Sequence, residues 1–160
     1  MLAACGGGAA PAVSAPPLSP GGPLGRPGAP APPFGETGLE TPAGPRCVLV
    51  AATENARERG LMGVRAIDPW AGMLFTFGGR PTRSSFYMKD TLIPLDIAFI
   101  GGDGTVQDVL TMEPCPPDVA QCPTYQPSRD YTSALEVAKG AAGALGLVAG
   151  AHVAPSDAAC

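Results

Sequence analysis

Beyond residue 46 the chain alternates short apolar runs with glycine, proline and charged breaks. Cys47-Val48-Leu49-Val50-Ala51-Ala52 is apolar throughout and of strand length. Thr53 then stands at an N-cap position, Glu54 falls in the first turn, Arg57 and Arg59 lie near the end, and Gly60 stops the run. Caps and charges all agree with the helix macrodipole, so one short helix is predicted after the first strand. Residues 72–77 and 85–88 are the next β candidates, separated by the basic, turn-forming Gly78-Gly79-Arg80-Pro81-Thr82-Arg83. The clearest pattern covers residues 95–110, where two apolar strands flank the four-residue hairpin loop Gly101-Gly102-Asp103-Gly104. Residues 133–137 predict a further strand, 139–145 an Ala-rich helix ended by Gly146, and 150–153 a last extended piece. Many short strands with Gly/Pro turns predict a mainly β fold, a small β-sandwich or barrel with one or two short peripheral helices. There is no internal repeat.

Composition changes the picture for the first part of the chain. Of 160 residues, 22 are glycine and 20 are proline, more than a packed fold normally carries. Residues 6–45 are mostly Gly, Pro, Ala and Ser, with Phe34 their sole aromatic and Arg26, Glu36 and Glu40 their sole charges. This stretch is predicted to be a disordered linker, rising at most about 3.1 Å per residue where polyproline-like. Ahead of it, Met1-Leu2-Ala3-Ala4-Cys5-Gly6 matches the Leu-Ala-Ala-Cys pattern that bacterial lipoprotein signal peptidases cut. A full signal needs a charged segment and about 7–15 apolar residues upstream, so translation is expected to begin roughly 15–20 codons earlier, with Cys5 the lipidated first residue of the mature protein. The plainer alternative is an Ala-rich tail with a stray cysteine. The expected organisation is a signal remnant at 1–5, a linker at 6–45, a β-domain at 46–154 and a flexible tail at 155–160.

Charge excludes one class of partner. The net charge is −4 and the ten basic residues form no cluster, so nucleic acid is not an expected partner. No run reaches the roughly 18 apolar residues of a spanning helix, because the most apolar stretch, residues 92–100, is cut by Pro94 and Asp96. Membrane attachment is therefore expected through lipid on Cys5, with the domain outside the cytoplasm on the bacterial cell envelope.

With Cys5 set aside, Cys47, Cys115, Cys122 and Cys160 remain, an even number that suits an oxidising compartment. Cys115 and Cys122 flank an aperiodic, proline-rich loop. A disulfide closing it would contribute roughly 2.5 kcal/mol on the loop-entropy model. The alternative is two thiolates of a metal site, disfavoured because His152 is the sole histidine and no second ligand pair is evident. Cys47 opens a strand, where a small buried hydrophobe is the ordinary role; Cys160 is not assigned.

The motifs carry a resemblance. Gly60-Leu61-Met62, Gly72-Met73-Leu74-Phe75, the fifteen residues from Phe86-Tyr87-Met88-Lys89-Asp90 through Ile100, Met112-Glu113-Pro114, and Leu135-Glu136-Val137 followed by Gly140 together resemble the ordered signature of the domain of unknown function 192 family. The resemblance spans most of residues 47–153. It implies a jelly-roll-like β-sandwich, found in bacteria and archaea, often behind a signal peptide, with no settled activity. Cys122-Pro123-Thr124-Tyr125 also resembles the end of a cysteine loop seen in some members. Tyr87 stands where the family usually has Trp, and Asp90 where it usually has Asn.

Candidate chemistry concentrates in that signature. Asp96 interrupts an apolar strand and needs a partner, since an unpaired buried charge costs several kcal/mol; Lys89, Arg65 or a backbone turn are the options. Lys89, Asp90, Asp96 and Glu136, with Tyr87, are expected to build a polar pocket for a small hydroxylated or charged ligand. The plainer alternative is that Asp96 and Glu136 pin loops to backbone amides. The expected function is a non-enzymatic module binding a small molecule or glycan, with no cofactor. Two other classes stay open. One is a carboxylate-dependent hydrolase using Asp96 and Glu136. The other is a copper-binding protein drawing on Met62, Met73, Met88 and Met112 with His152 or a cysteine, although Met is also a routine core filler.

Overall fold

In the computed structural model, which describes residues 34–116, 118–157 and 160, the apolar runs become strands in the expected order. Residues 47–51 fall in β2 (Gly44–Ala51), and Thr53 caps α1 (Glu54–Arg59) by accepting a 3.2 Å hydrogen bond from the Ala56 amide. The next two runs give β3 (Met73–Thr76) and the two-residue β4 (Phe86–Tyr87). The hairpin is β5 (Leu95–Ile100) and β6 (Val106–Met112), closed by Gly101 accepting from Gly104. After β7 (Thr124–Tyr125) come β8 (Ser133–Ala138), the single-turn α2 (Ala141–Ala144) and β9 (Ala154–Ser156).

Seven strands form one mixed sheet in the order β6-β5-β8-β3-β2, continuing through β1 (Gly35–Thr41) to β9; β4 and β7 form a separate pair. The fold is thus mainly β with two short helices, and the large sheet does not close into a barrel. Among the described residues only β2 and β3 run parallel, with Leu49 beside Met73, because α1 and the segment after it form a crossover between them. Both faces of the central strands are covered, which is why all six residues of β5 are buried and its sequence reads as nearly continuous hydrophobic. One face carries Leu49, Met73, Phe75, Ile97 and Phe99 under the α1 crossover and the β4–β7 pair. The other carries Val48, Leu74, Ala98, Leu135 and Val137 under α2 and the chain that follows it.

Two ends of the expected domain shift. The linker expected over 6–45 gives way to structure at its end: β1 pairs with β2 from Gly35↔Val50 to Thr41↔Gly44, and Phe34 and Leu39 are buried. A segment with two large apolar residues is held here by pairing on both sides and by the Trp70 indole donating to Glu36 Oε1 at 2.9 Å. Cys5 and residues 6–33 lie outside the described residues. At the other end, the tail expected over 155–160 contributes to β9, which pairs antiparallel with β1, and Cys160 comes to disulfide distance of Cys47 with the two Cα atoms 5.5 Å apart. Cys47 therefore serves as half of a cross-link rather than as a free buried hydrophobe. Cys115 and Cys122 pair as expected, also with 5.5 Å between Cα atoms.

Candidate ligand cavity and the residues around it

Strand β8 is a middle strand of the sheet, and Glu136 sits at its centre, opposite Met73 of β3 and Ile97 of β5. Its side chain therefore stands on the face of Phe75 and Phe99, among apolar neighbours. Glu136 is 5% exposed, and among the described residues its carboxyl has no hydrogen-bond or ion-pair partner. Burial alone pushes its pKa up to about 8, because the charged form has lost its water without gaining a compensating group. At neutral pH the acid form predominates.

This carboxyl lines a cavity of about 220 Å3 between the sheet, α1 and β4. Each wall has a local cause. Gly60 ends α1 at φ 45°, and a Cβ there would lie 3.3 Å from the Phe75 ring, so glycine lets the helix end close onto that ring. Arg57 is fixed by donating to the carbonyls of Ala52 and Thr76 at 2.7 and 2.9 Å, with its guanidinium 5.1 Å over the Phe77 ring. Phe86 stands edge-on to Phe75, centroids 5.1 Å apart, and closes the β4 side. Arg59, two residues beyond Arg57, also lines the cavity; it is exposed and makes no side-chain hydrogen bond or ion pair among the described residues.

The residues expected to share one pocket are distributed over three places. Glu136 and Tyr87 line the cavity just described. Tyr87 also borders a second, open hollow of about 470 Å3 along the Cys115–Cys122 loop, which Lys89 and Asp90 line. Asp90 is a turn residue at φ 54°, and its carbonyl accepts from the Gly63 amide at 2.8 Å. That left-handed conformation favours Asn and tolerates Asp, which accounts for the exchange at this position.

Asp96 lies elsewhere. It is opposite Val137, one register position from Glu136, so the two carboxyls stand on opposite faces of the sheet. Asp96 accepts from the Thr111 hydroxyl at 2.8 Å and from the Gly140 amide at 2.7 Å, tying the turn before α2 to β5. Its partner is thus a backbone turn rather than Lys89 or Arg65, and a mechanism that needs Asp96 and Glu136 across one substrate has no geometry to work with. The thioethers are no better placed for copper. Met73, Met88 and Met112 are buried in the core, while His152 Nε2 is engaged with the Asp103 carbonyl at 2.9 Å. Among the described residues no three His, Cys, Asp or Glu side chains gather as metal ligands.

Arg57, Arg59, Phe75 and Phe86 were not candidates from sequence. The two arginines read there as macrodipole charges and the rings as strand core, and only the crossover brings them together over Glu136.

The family profile of DUF192, described as an "Uncharacterized ACR", matches residues 39–155. The chain belongs to the DUF192 family. Two solved structures have the same fold as this DUF192 domain. One is a protein of unknown function from Novosphingobium aromaticivorans, 25% identical, with a TM-score of 0.62, covering 76% of this chain and 84% of that one. The other, from Sinorhizobium meliloti, is described as a candidate transcription regulator; it is 29% identical, with a TM-score of 0.60, covering 76% of this chain and 95% of that one. No curated protein matches.

Proposed function

We propose that this DUF192 domain is a non-enzymatic module that binds a small molecule in the Glu136 cavity. The observation that carries the reading is the carboxyl itself. A buried polar group without a partner costs about 1–3 kcal/mol, more when charged, and this one lines a concave, aromatic-walled space instead of being sealed in the core. A pocket that joins apolar walls to one convergent polar group of perturbed acidity is the usual form of a ligand site. Its volume is below the roughly 300–1,000 Å3 of drug-sized pockets, which favours a small ligand. The regulator description of the Sinorhizobium protein is not carried over, because a chain of net charge −4 offers no footprint for a nucleic-acid backbone.

Thermal unfolding of the full chain against sugars, amino acids, amines and carboxylates tests the reading. At a hundredfold excess over its Kd, a ligand should raise Tm by on the order of 10 °C, and Glu136→Leu should abolish the rise. No rise in any class, or one that persists in the variant, would overturn it.

The proposal includes the place of action. Two cysteine pairs at disulfide distance support an oxidising compartment, and Cys5 supplies the acceptor for a lipid that would hold the domain at the cell envelope. Intact-mass measurement on detergent-extracted protein, without reductant, is expected to give a chain beginning at Cys5 with added acyl groups and four hydrogens fewer than the reduced form. A chain that retains Met1, with every thiol free, would overturn this location.

A further inference from the structure

We propose that the Glu136 cavity takes a small primary amine with an apolar body and a neutral or anionic remainder, an apolar α-amino acid being the simplest such ligand, its ammonium seated on Glu136. This deepens the binding reading and rests on it. Three observations select the chemistry. First, the cavity has two buried polar side chains, Thr91, whose hydroxyl donates to the Lys89 carbonyl, and Glu136, whose carboxyl has no partner among the described residues, so for the carboxylate the ligand must supply the donor. An ammonium does so with a charge-assisted bond, about twice as strong as a neutral one, and aromatic rings beside it add cation–π attraction. Second, Leu61, Met62, Phe75, Phe77 and Phe86 give the wall an apolar part, with the serine and threonine hydroxyls of residues 84, 85 and 91 beside it. An aliphatic side chain suits those walls. Third, the cationic groups are on α1. Arg57 is committed to two carbonyls and the Phe77 ring, whereas Arg59 has no side-chain hydrogen bond or ion pair among the described residues. They disfavour a second cation, and Arg59 is placed to meet a carboxylate.

The proton balance follows. The charged or titratable groups lining the cavity besides Glu136 are Arg57, Glu58 and Arg59 of α1 and Tyr87 of β4. Glu136 holds a proton in the empty site below about pH 8. An ammonium ligand engages the carboxylate, so that proton leaves to solvent on binding and affinity rises about tenfold per pH unit between pH 6 and 7.

Calorimetric titration of the full chain provides the test, with L-leucine, isopentylamine, 4-methylpentanoate and glucose as probes. L-leucine should bind, release close to one proton at pH 6.5, and tighten with pH as above. Isopentylamine should bind more weakly, and 4-methylpentanoate at least tenfold more weakly than L-leucine. Glu136→Gln should cut L-leucine affinity at least tenfold and abolish its pH dependence, Arg59→Gln should cut it several-fold, and the exposed Glu113→Gln should leave it unchanged. Glucose binding that Glu136→Gln removes, with both amines silent, would overturn the ammonium assignment and leave the cavity a ligand site. L-leucine affinity indifferent to Glu136→Gln, or no binding by either amine, would overturn the inference outright.

Discussion

Replacing Glu136 with Gln is expected to stabilise the domain progressively as pH rises. The folded-state pKa of Glu136 is raised to about 8 from an ordinary 4.5 because the carboxyl is buried without a partner. Its favourable contribution is therefore fully present below pH 4.5, where folded and unfolded chains both hold the proton. Between the two values the unfolded chain gives the proton up while the folded chain keeps it, so stability falls with pH until it levels off above 8. Gln cannot ionise and escapes that fall. Urea denaturation of the two proteins should show nearly equal stability at pH 4.5 and a gap of about 3–5 kcal/mol in favour of Glu136→Gln at pH 9. Parallel curves would mean that Glu136 is ionised or paired in the folded domain.

Cys160→Ala should act in the opposite direction with a similar size, destabilising the domain through a residue at the far end of β9's segment. Cys47 and Cys160 are 113 positions apart, so their cross-link encloses almost the whole domain and restricts the unfolded chain far more than the seven-residue separation of Cys115 and Cys122 does. The loop-entropy relation gives about 4–5 kcal/mol for the long loop and roughly 2.5 kcal/mol for the short one. Denaturation midpoints should fall accordingly in oxidising buffer and converge with those of the unmutated protein once both are reduced. Equal midpoints in oxidising buffer would show that the pair is not closed in solution.

The parts of this fold that could be read from sequence are those whose cause is local. Thr53 and Gly60 bracket α1 by capping chemistry contained in eight residues, and the Gly101–Gly104 loop joins β5 to β6 for reasons equally close at hand. β1 was hidden because its strand character comes from partners. Leu39 is its only large apolar side chain, with Phe34 just ahead of it, and its hydrogen bonds run to β2 on one side and on the other to β9, more than a hundred residues away. Cys47 was misread for the same reason, its partner lying at the opposite end of the chain.

The site divides likewise. Asp96 and Glu136 looked equivalent as acids in apolar strands, yet one register position sends them to opposite faces, where Asp96 meets an amide and a hydroxyl and Glu136 meets neither. Periodicity of two gives the face only once the pairing is known. Arg57 and Arg59 could not have been placed over Glu136 without the β2–β3 crossover, since nothing in their own sequence neighbourhood refers to β8.

The clamping of β1 has a mechanical consequence. Its seven residues are hydrogen-bonded antiparallel to β2 along their whole length, and to β9 over residues 38–40. A pull on the chain ahead of Phe34 enters the fold along this strand and loads those bonds together in shear, instead of peeling them one at a time. The load then spreads into β2 and, through Cys47, to the end of the chain. β8 and Glu136 lie two strands further across the sheet from β2, out of the line of force. Tension entering there would fall first on β9, β1 and β2, at the end of the sheet away from β5 and β6.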